Sequence, residues 1–150
     1  MKTILVALDG SPNAHTVLTA ARLMAEKTEA RLILFHAVSL PMGPPLEAQG
    51  VSPTDVGPLL LETARQQLEG YARELQSKLR AAVRVEYGTP WQAICEQAKI
   101  EQAHLIIVGS HGYGGLDRLL GTTAARVVNH ADRSVLVVRT AELLDELLAT

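Results

Sequence analysis

Two short stretches of this chain hold the residue types from which an anion site can be built. Val108-Gly109-Ser110-His111-Gly112 is followed, after eight residues, by Gly121-Thr122-Thr123. An apolar run from Leu105 to Val108 leads in, and a helical pattern from Ala124 to Ala131 leads out. A strand that ends in a glycine-rich loop and feeds a helix N-terminus can cradle a phosphate. The glycines let the backbone approach the anion, while loop N–H groups and the positive end of the helix dipole supply the donors. Thr122 is expected to cap the helix and to offer a hydroxyl. Glycine spacing alone fits a tight strand-to-helix turn slightly better than a phosphate cradle, so the rest of the chain must decide.

The elements that position these residues follow from the hydrophobic pattern. Thr3 to Leu8 is apolar without polar alternation, as a strand buried on both faces of a parallel sheet requires. It runs into Asp9-Gly10-Ser11-Pro12, where Ser11 suits an N-cap and Pro12 a first helical position. Ala14, Val17, Leu18, Ala21, Met24 and Ala25 recur at helical steps, and Leu32 to Val38 is a second buried strand. Ser39 to Gly57, rich in proline and glycine, reads as a long surface loop. Pro58 is expected to open a long helix with Leu61, Ala64, Leu68, Tyr71, Ala72, Leu75 and Leu79 on its apolar face. Val83, Val85 and Tyr87 alternate with Arg84 and Glu86, the period of a half-exposed edge strand. Gly88-Thr89-Pro90 is another strand-to-helix joint, with Thr89 as cap and Trp91, Ile94, Cys95 and Ala98 on one face. Leu105 to Val108 and Ser134 to Val138 complete the strands, and Leu143, Leu144, Leu147 and Leu148 mark a short terminal helix.

Alternating strands and helices imply an α/β fold built on one doubly wound, five-stranded parallel sheet with helices on both faces. The edge character of the third strand favours the order 3-2-1-4-5. The sheet then reverses direction between the first and fourth strands, and ligands bind beyond the carboxyl ends at such a switch point. Asp9 ends the first strand and Gly109 the fourth, so carboxylate and glycine loop should flank one crevice. That convergence raises the ligand reading above the plain turn. Asp9 has a second reading, as a cap for the helix that follows.

Composition bounds the function. The chain has 150 residues, a formal charge of -2 and one cysteine. One domain is expected, nucleic-acid binding is disfavoured by the missing basic footprint, and Cys95 fits a reducing compartment without an internal disulfide. Met1-Lys2-Thr3 enters a strand directly and no apolar run is long enough for a bilayer, so a cytoplasmic protein is expected. Rival phosphate signatures fail. The three spaced glycines of a dinucleotide fold are absent after the first strand, and Gly121 stands where a Walker loop needs lysine. The acidic pair of a phospho-acceptor site is absent as well. His36 reads as a satisfied core or adenine-edge residue, His111 as an exposed loop residue able to contact phosphate, and Cys95 as inert packing. No cluster has zinc-ligand spacing.

Val6-Ala7-Leu8-Asp9-Gly10-Ser11, Gly88-Thr89-Pro90, Val108-Gly109-Ser110-His111-Gly112 through Gly121-Thr122, and Ser134-Val135-Leu136-Val137-Val138 together resemble the universal stress protein family. The resemblance covers residues 1–140 in order and leaves 141–150 as a helical extension. It implies an adenine-nucleotide-alpha-hydrolase-like, Rossmann-like fold and ATP, or another adenine nucleotide, as ligand, with Mg or Mn. By position, Ala7, Leu8 and Asp9 would meet the adenosine, and the Ala37 backbone the adenine. Val108 and Gly109 would lie along the ribose and first phosphate, and Gly112, Gly121, Thr122 and Thr123 would hold the triphosphate. Asp9 is also the candidate metal contact, through the phosphates. ATP-binding members commonly have one residue more between the second and third glycines than the Tyr113 to Leu120 stretch here. His104 stands where aspartate is usual and Ser134 where proline is frequent.

The function expected is a stress-response or signalling protein acting through nucleotide-dependent conformation, with at most slow hydrolysis. The alternative is a nucleotide-independent interaction module of the same fold. Val135 to Val138 is continuously apolar at a sheet edge, and such edges invite pairing, so a homodimer along residues 134–138 is expected.

Overall fold

A computed structural model describes residues 1–40, 50, 53–75, 79–111 and 119–149, with backbone alone at 53–55. Strands and helices alternate along it: β1 (Thr3–Ala7), α1 (Ala14–Thr28), β2 (Arg31–Val38), α2 (Pro53–Glu74), β3 (Ala81–Tyr87), α3 (Pro90–Ile100), β4 (Leu105–Gly109), α4 (Thr122–His130), β5 (Ser134–Val138) and α5 (Glu142–Leu148). The strands form one five-stranded sheet in the order β3-β2-β1-β4-β5. Every neighbouring pair is parallel.

Side chains alternate across a strand, so each central strand feeds two cores. Ile4 and Val6 of β1 join Leu32 and Leu34 of β2 beneath α1 and α2, which add Val17, Leu18, Ala64 and Leu68. Leu5 joins Ile33, Phe35, Ile106 and Val108 on the other face, where α3 and α4 add Ile94, Ala98, Ala124 and Val127. Both faces being covered is the reason these strands read as unbroken apolar runs. Truncating a side chain as enclosed as Phe35 should cost about 3–5 kcal/mol.

The register aligns the carboxyl ends where the site lies. Val6 stands beside Leu34 on one side and Ile107 on the other, and Gly109 stands beside Val138. Backbone bonds extend the ladders past the strands, with Leu8 N donating to Phe35 O at 2.9 Å and Ser110 N to Val138 O at 2.9 Å. Strand β3 is an edge, and its Tyr87 and Arg84 are exposed while Val85 is buried.

Helix starts differ from the sequence reading in several places. Helix α2 begins at Pro53, not Pro58, so Pro58 lies inside it and residues 53–57 are helical, not loop. The rest of the proline-rich stretch, 41–49 and 51–52, falls outside the described residues. Helix α1 begins at Ala14 with Asn13 at the N-cap, displacing the expected start at Ser11 and Pro12. A turn precedes it, in which Ala14 N donates to the Ser11 carbonyl at 3.0 Å. The N-cap of α4 is Gly121, and Thr122 is the first helical residue, without a side-chain cap bond. Thr89 does hold the N-cap of α3 with Pro90 behind it, though its hydroxyl makes no cap bond. Helix α5 packs on α1 and lays Leu144 against the core, leaving Leu143 and Leu147 exposed. Among the described residues no helix is long and apolar enough to cross a membrane.

Candidate functional site

At the switch point the chain leaves β1 toward α1 on one face of the sheet and leaves β4 toward α4 on the other. The loops diverge and open a cavity of about 550 Å³ at the carboxyl ends of the strands. That size suits a small-molecule ligand. Ala7, Leu8 and Asp9 line it from β1, Ala37 from β2, and Val108 and Gly109 from β4. Gly121, Thr122 and Thr123 line it from the start of α4. Nine of the ten residues expected at the site therefore share one cavity, and the tenth, Gly112, lies outside the described residues.

The cavity has two chemically different parts. One wall is apolar, built from Ala7, Phe35, Ala37, Ile94 and Val108, all of which belong to the core beneath α3 and α4. A flat, weakly polar ring can be buried there. The other part is polar. The N-terminus of α4 opens onto it with no side chain capping its first turn, so the N–H groups and the dipole are left for an anion.

Asp9 adds a carboxylate to the lining. It is exposed, and its Oδ1 accepts a bond of 2.9 Å from Ser11 N. That bond forms a local turn rather than a cap on α1, whose N-cap is Asn13. No group of three or more histidine, cysteine, aspartate or glutamate side chains is placed to hold a metal among the described residues.

Three contacts set the shape of the cradle. Gly121 N donates to Ser110 O at 2.7 Å, cinching the two ends of the β4–α4 connection. Asn13 Nδ2 donates to His111 O at 3.0 Å, joining that connection to the start of α1. At Gly109 α1 comes close, since a Cβ there would lie 2.8 Å from Asn13 Nδ2 and 3.0 Å from Val17 Cγ2. The glycine after β4 thus serves helix packing as well as any ligand.

Sequence reasoning missed several lining residues. Asn13 carries no motif, and its partner lies 98 positions away. Ser11 looked like a helix cap, yet its hydroxyl is buried and unpartnered. His111 was expected on the exposed loop; instead its Nε2 is buried, with Nδ1 3.2 Å from Ser110 Oγ. His36 directs Nδ1 to the Leu8 carbonyl, so that nitrogen donates and the residue is satisfied as expected. Cys95 is half-buried on α3 outside the cavity, and burial pushes its thiol above the ordinary value.

The pattern of the universal stress protein family matches residues 1–139 of this chain. Universal stress protein A homolog 2 of Coxiella burnetii is 38% identical over 140 residues, covering 92% of this chain and 94% of that one. Among solved structures, the hypothetical protein MJ0577 superposes with a TM-score of 0.76 at 27% identity, covering 91% of this chain and 94% of that one. A universal stress protein solved in complex with cAMP has a TM-score of 0.65 at 25% identity, covering 93% of this chain and 97% of that one. Fold and sequence agree, and the chain belongs to the universal stress protein family.

Proposed function

We propose that this chain is an adenine-nucleotide-binding stress or signalling protein whose ligand is ATP, carried with Mg or Mn. The observation that supports this most is a single cavity joining an apolar slot, a carboxylate and an uncapped helix N-terminus. Those are the three chemistries of a nucleotide taken in order: base, ribose and phosphate. The relative in complex with cAMP adds an adenine nucleotide on the same fold.

In this reading the adenine sits in the apolar slot, against the backbone of Ala7, Leu8 and Ala37. The Asp9 carboxylate accepts from ribose hydroxyls, and its open side reaches a phosphate-bound divalent ion. Val108 and Gly109 follow the ribose and first phosphate. The N–H groups of Gly121, Thr122 and Thr123, with Gly112 from the resemblance, hold the remaining phosphates. A bound divalent ion would offset charge on the triphosphate. Turnover in this reading is slow at most, because Asp9 is the one carboxylate among the described lining residues and the reading assigns it to the ribose. Signalling then rests on what the nucleotide does to the loops and to a homodimer along β5.

Thermal unfolding of the chain with a nucleotide panel tests this. ATP, ADP and AMP should each raise the melting temperature, since a ligand at a hundred times its Kd adds about 2.7 kcal/mol. GTP, whose base carries a different donor and acceptor edge, should do little at the same concentration. No shift with any nucleotide would contradict the proposal and leave the nucleotide-independent interaction module.

A further inference from the structure

The ladder between β1 and β2 stops one bond short of where its register would carry it. Arg31 N donates to the Lys2 carbonyl at 3.0 Å and Leu8 N to the Phe35 carbonyl at 2.9 Å, so the odd-numbered residues of β2 turn their backbone groups toward β1. Leu32 N donates to the Arg80 carbonyl and Gly88 N to that of Val38, so the even-numbered residues turn toward β3. With Ala7 beside Phe35, the next bond toward β1 would run from the Ala37 N–H to the Leu8 carbonyl. That bond is not made, and the Ala37 N–H has no other partner among the described residues. The Leu8 carbonyl is taken instead by Nδ1 of His36, the residue just before Ala37.

Ala37 lines the switch-point cavity together with Leu8 and His36, and it is half-buried. Backbone N–H groups in folded chains are nearly all paired, so one left open at a cavity wall points to an acceptor on the ligand. The side chains of Phe35, Ile94 and Val108 in the same wall carry no polar atom.

We infer that His36 is a positioning residue for base recognition: by occupying the Leu8 carbonyl, it keeps the Ala37 N–H free to donate to an unprotonated ring nitrogen. The inference rests on the nucleotide reading of the cavity. It goes beyond the adenine contact that the family resemblance gives the Ala37 backbone, because it names the side chain that keeps this donor available. His36 acts through Leu8 and Ala37 and need not touch the ligand. Adenine has a bare ring nitrogen at N1, whereas N1 of hypoxanthine and of guanine carries a proton. Those bases would set donor against donor and leave both unpaired, which a hydrogen-bonding site rejects strongly. Without the imidazole, the Leu8 carbonyl becomes available to Ala37 and the ladder gains its last bond, at the cost of base discrimination.

The test has two parts on the full chain. Amide hydrogen exchange of the ligand-free parent should show Ala37 exchanging at least about tenfold faster than Phe35, which the ladder holds, and ATP should slow Ala37. Calorimetry with magnesium then compares ATP with ITP, which share ribose and phosphates and differ at the base edge. The parent should favour ATP by about tenfold or more. His36→Phe keeps a flat ring and removes the N–H, so Ala37 should become protected without ligand and the ATP-to-ITP ratio should fall to about threefold or less. His36→Asn, whose amide N–H stands near the Nδ1 position, should restore both readouts. A role confined to stability would lower both affinities together and leave their ratio alone. Ala37 protected as well as Phe35 in the ligand-free parent overturns the inference without any variant, and so does an unchanged ratio in His36→Phe, while the nucleotide reading stands. Failure of the folded parent to bind either nucleotide overturns the nucleotide reading, and this inference with it.

Discussion

Asn13 Nδ2 donates to the His111 carbonyl at 3.0 Å, between the segments that follow β1 and β4. The two residues lie 98 positions apart, and their bond fixes the width of the cavity mouth between the start of α1 and the end of β4. Asn13→Ala should therefore cost about 1 kcal/mol in urea unfolding, the net worth of one such bond. It should also weaken ATP, because the loop that carries His111 is no longer held. Unchanged stability and affinity would show that the tether is incidental.

Gly109→Ala tests how tightly α1 packs over the cradle. The added Cβ would meet Asn13 Nδ2 at 2.8 Å and Val17 Cγ2 at 3.0 Å, and the valine is anchored in the core. Overpacking of this kind costs about 1–3 kcal/mol, so the melting temperature should fall and ligand affinity with it. A variant as stable as the parent would mean that α1 shifts without penalty.

Arg133 ties α3 to the strand that follows. Its Nη1 donates to the carbonyls of Ala98 and Ala103 at 2.7 and 2.8 Å, and its Nε pairs with Asp132. Arg133→Ala leaves those carbonyls without this donor and should destabilise the fold by about 2 kcal/mol in denaturant. The same guanidinium holds the Asp132 carboxyl below the ordinary carboxylate range. A lowered folded value means that its small contribution is complete above the unfolded value and is lost as pH falls through the folded one. Acid titration of Asp132→Asn beside the parent should show the curves converging at low pH.

Strand β5 is the sheet edge beside β4, and Val135, Leu136 and Val137 along it are only partly buried. We propose that a second copy covers them. Light scattering at micromolar concentration should give a dimer, and a chain ending at Thr140 should remain one, because α5 packs on α1. A monomer in both forms would contradict this.

Much of the fold was legible because the information is local. Short apolar runs without polar alternation, such as Thr3 to Leu8, suit central parallel strands, and the alternation around Arg84 and Glu86 suits an edge. Strand order then placed Asp9 and Gly109 at one crevice. The start of α2 was not legible, because Pro58 and Gly57 look like a boundary. The helix runs through them, and packing gives a reason: Tyr87 sits over Gly57, where a Cβ would come 2.8 Å from its hydroxyl. That contact belongs to β3 and overrides local propensity. Ser11 and His111 were misread for the same reason. Their polar atoms are buried, and no local pattern reports that.

The most direct measurement is calorimetry of nucleotide-stripped protein with ATP and magnesium, on the parent chain and on Asp9→Ala. Micromolar binding by the parent, lost by at least about tenfold in the variant, is the predicted result, since Asp9 is the carboxylate that meets the ribose and the phosphate-bound ion. No heat of binding from the folded parent, or equal affinity in Asp9→Ala, would contradict a nucleotide site at this switch point.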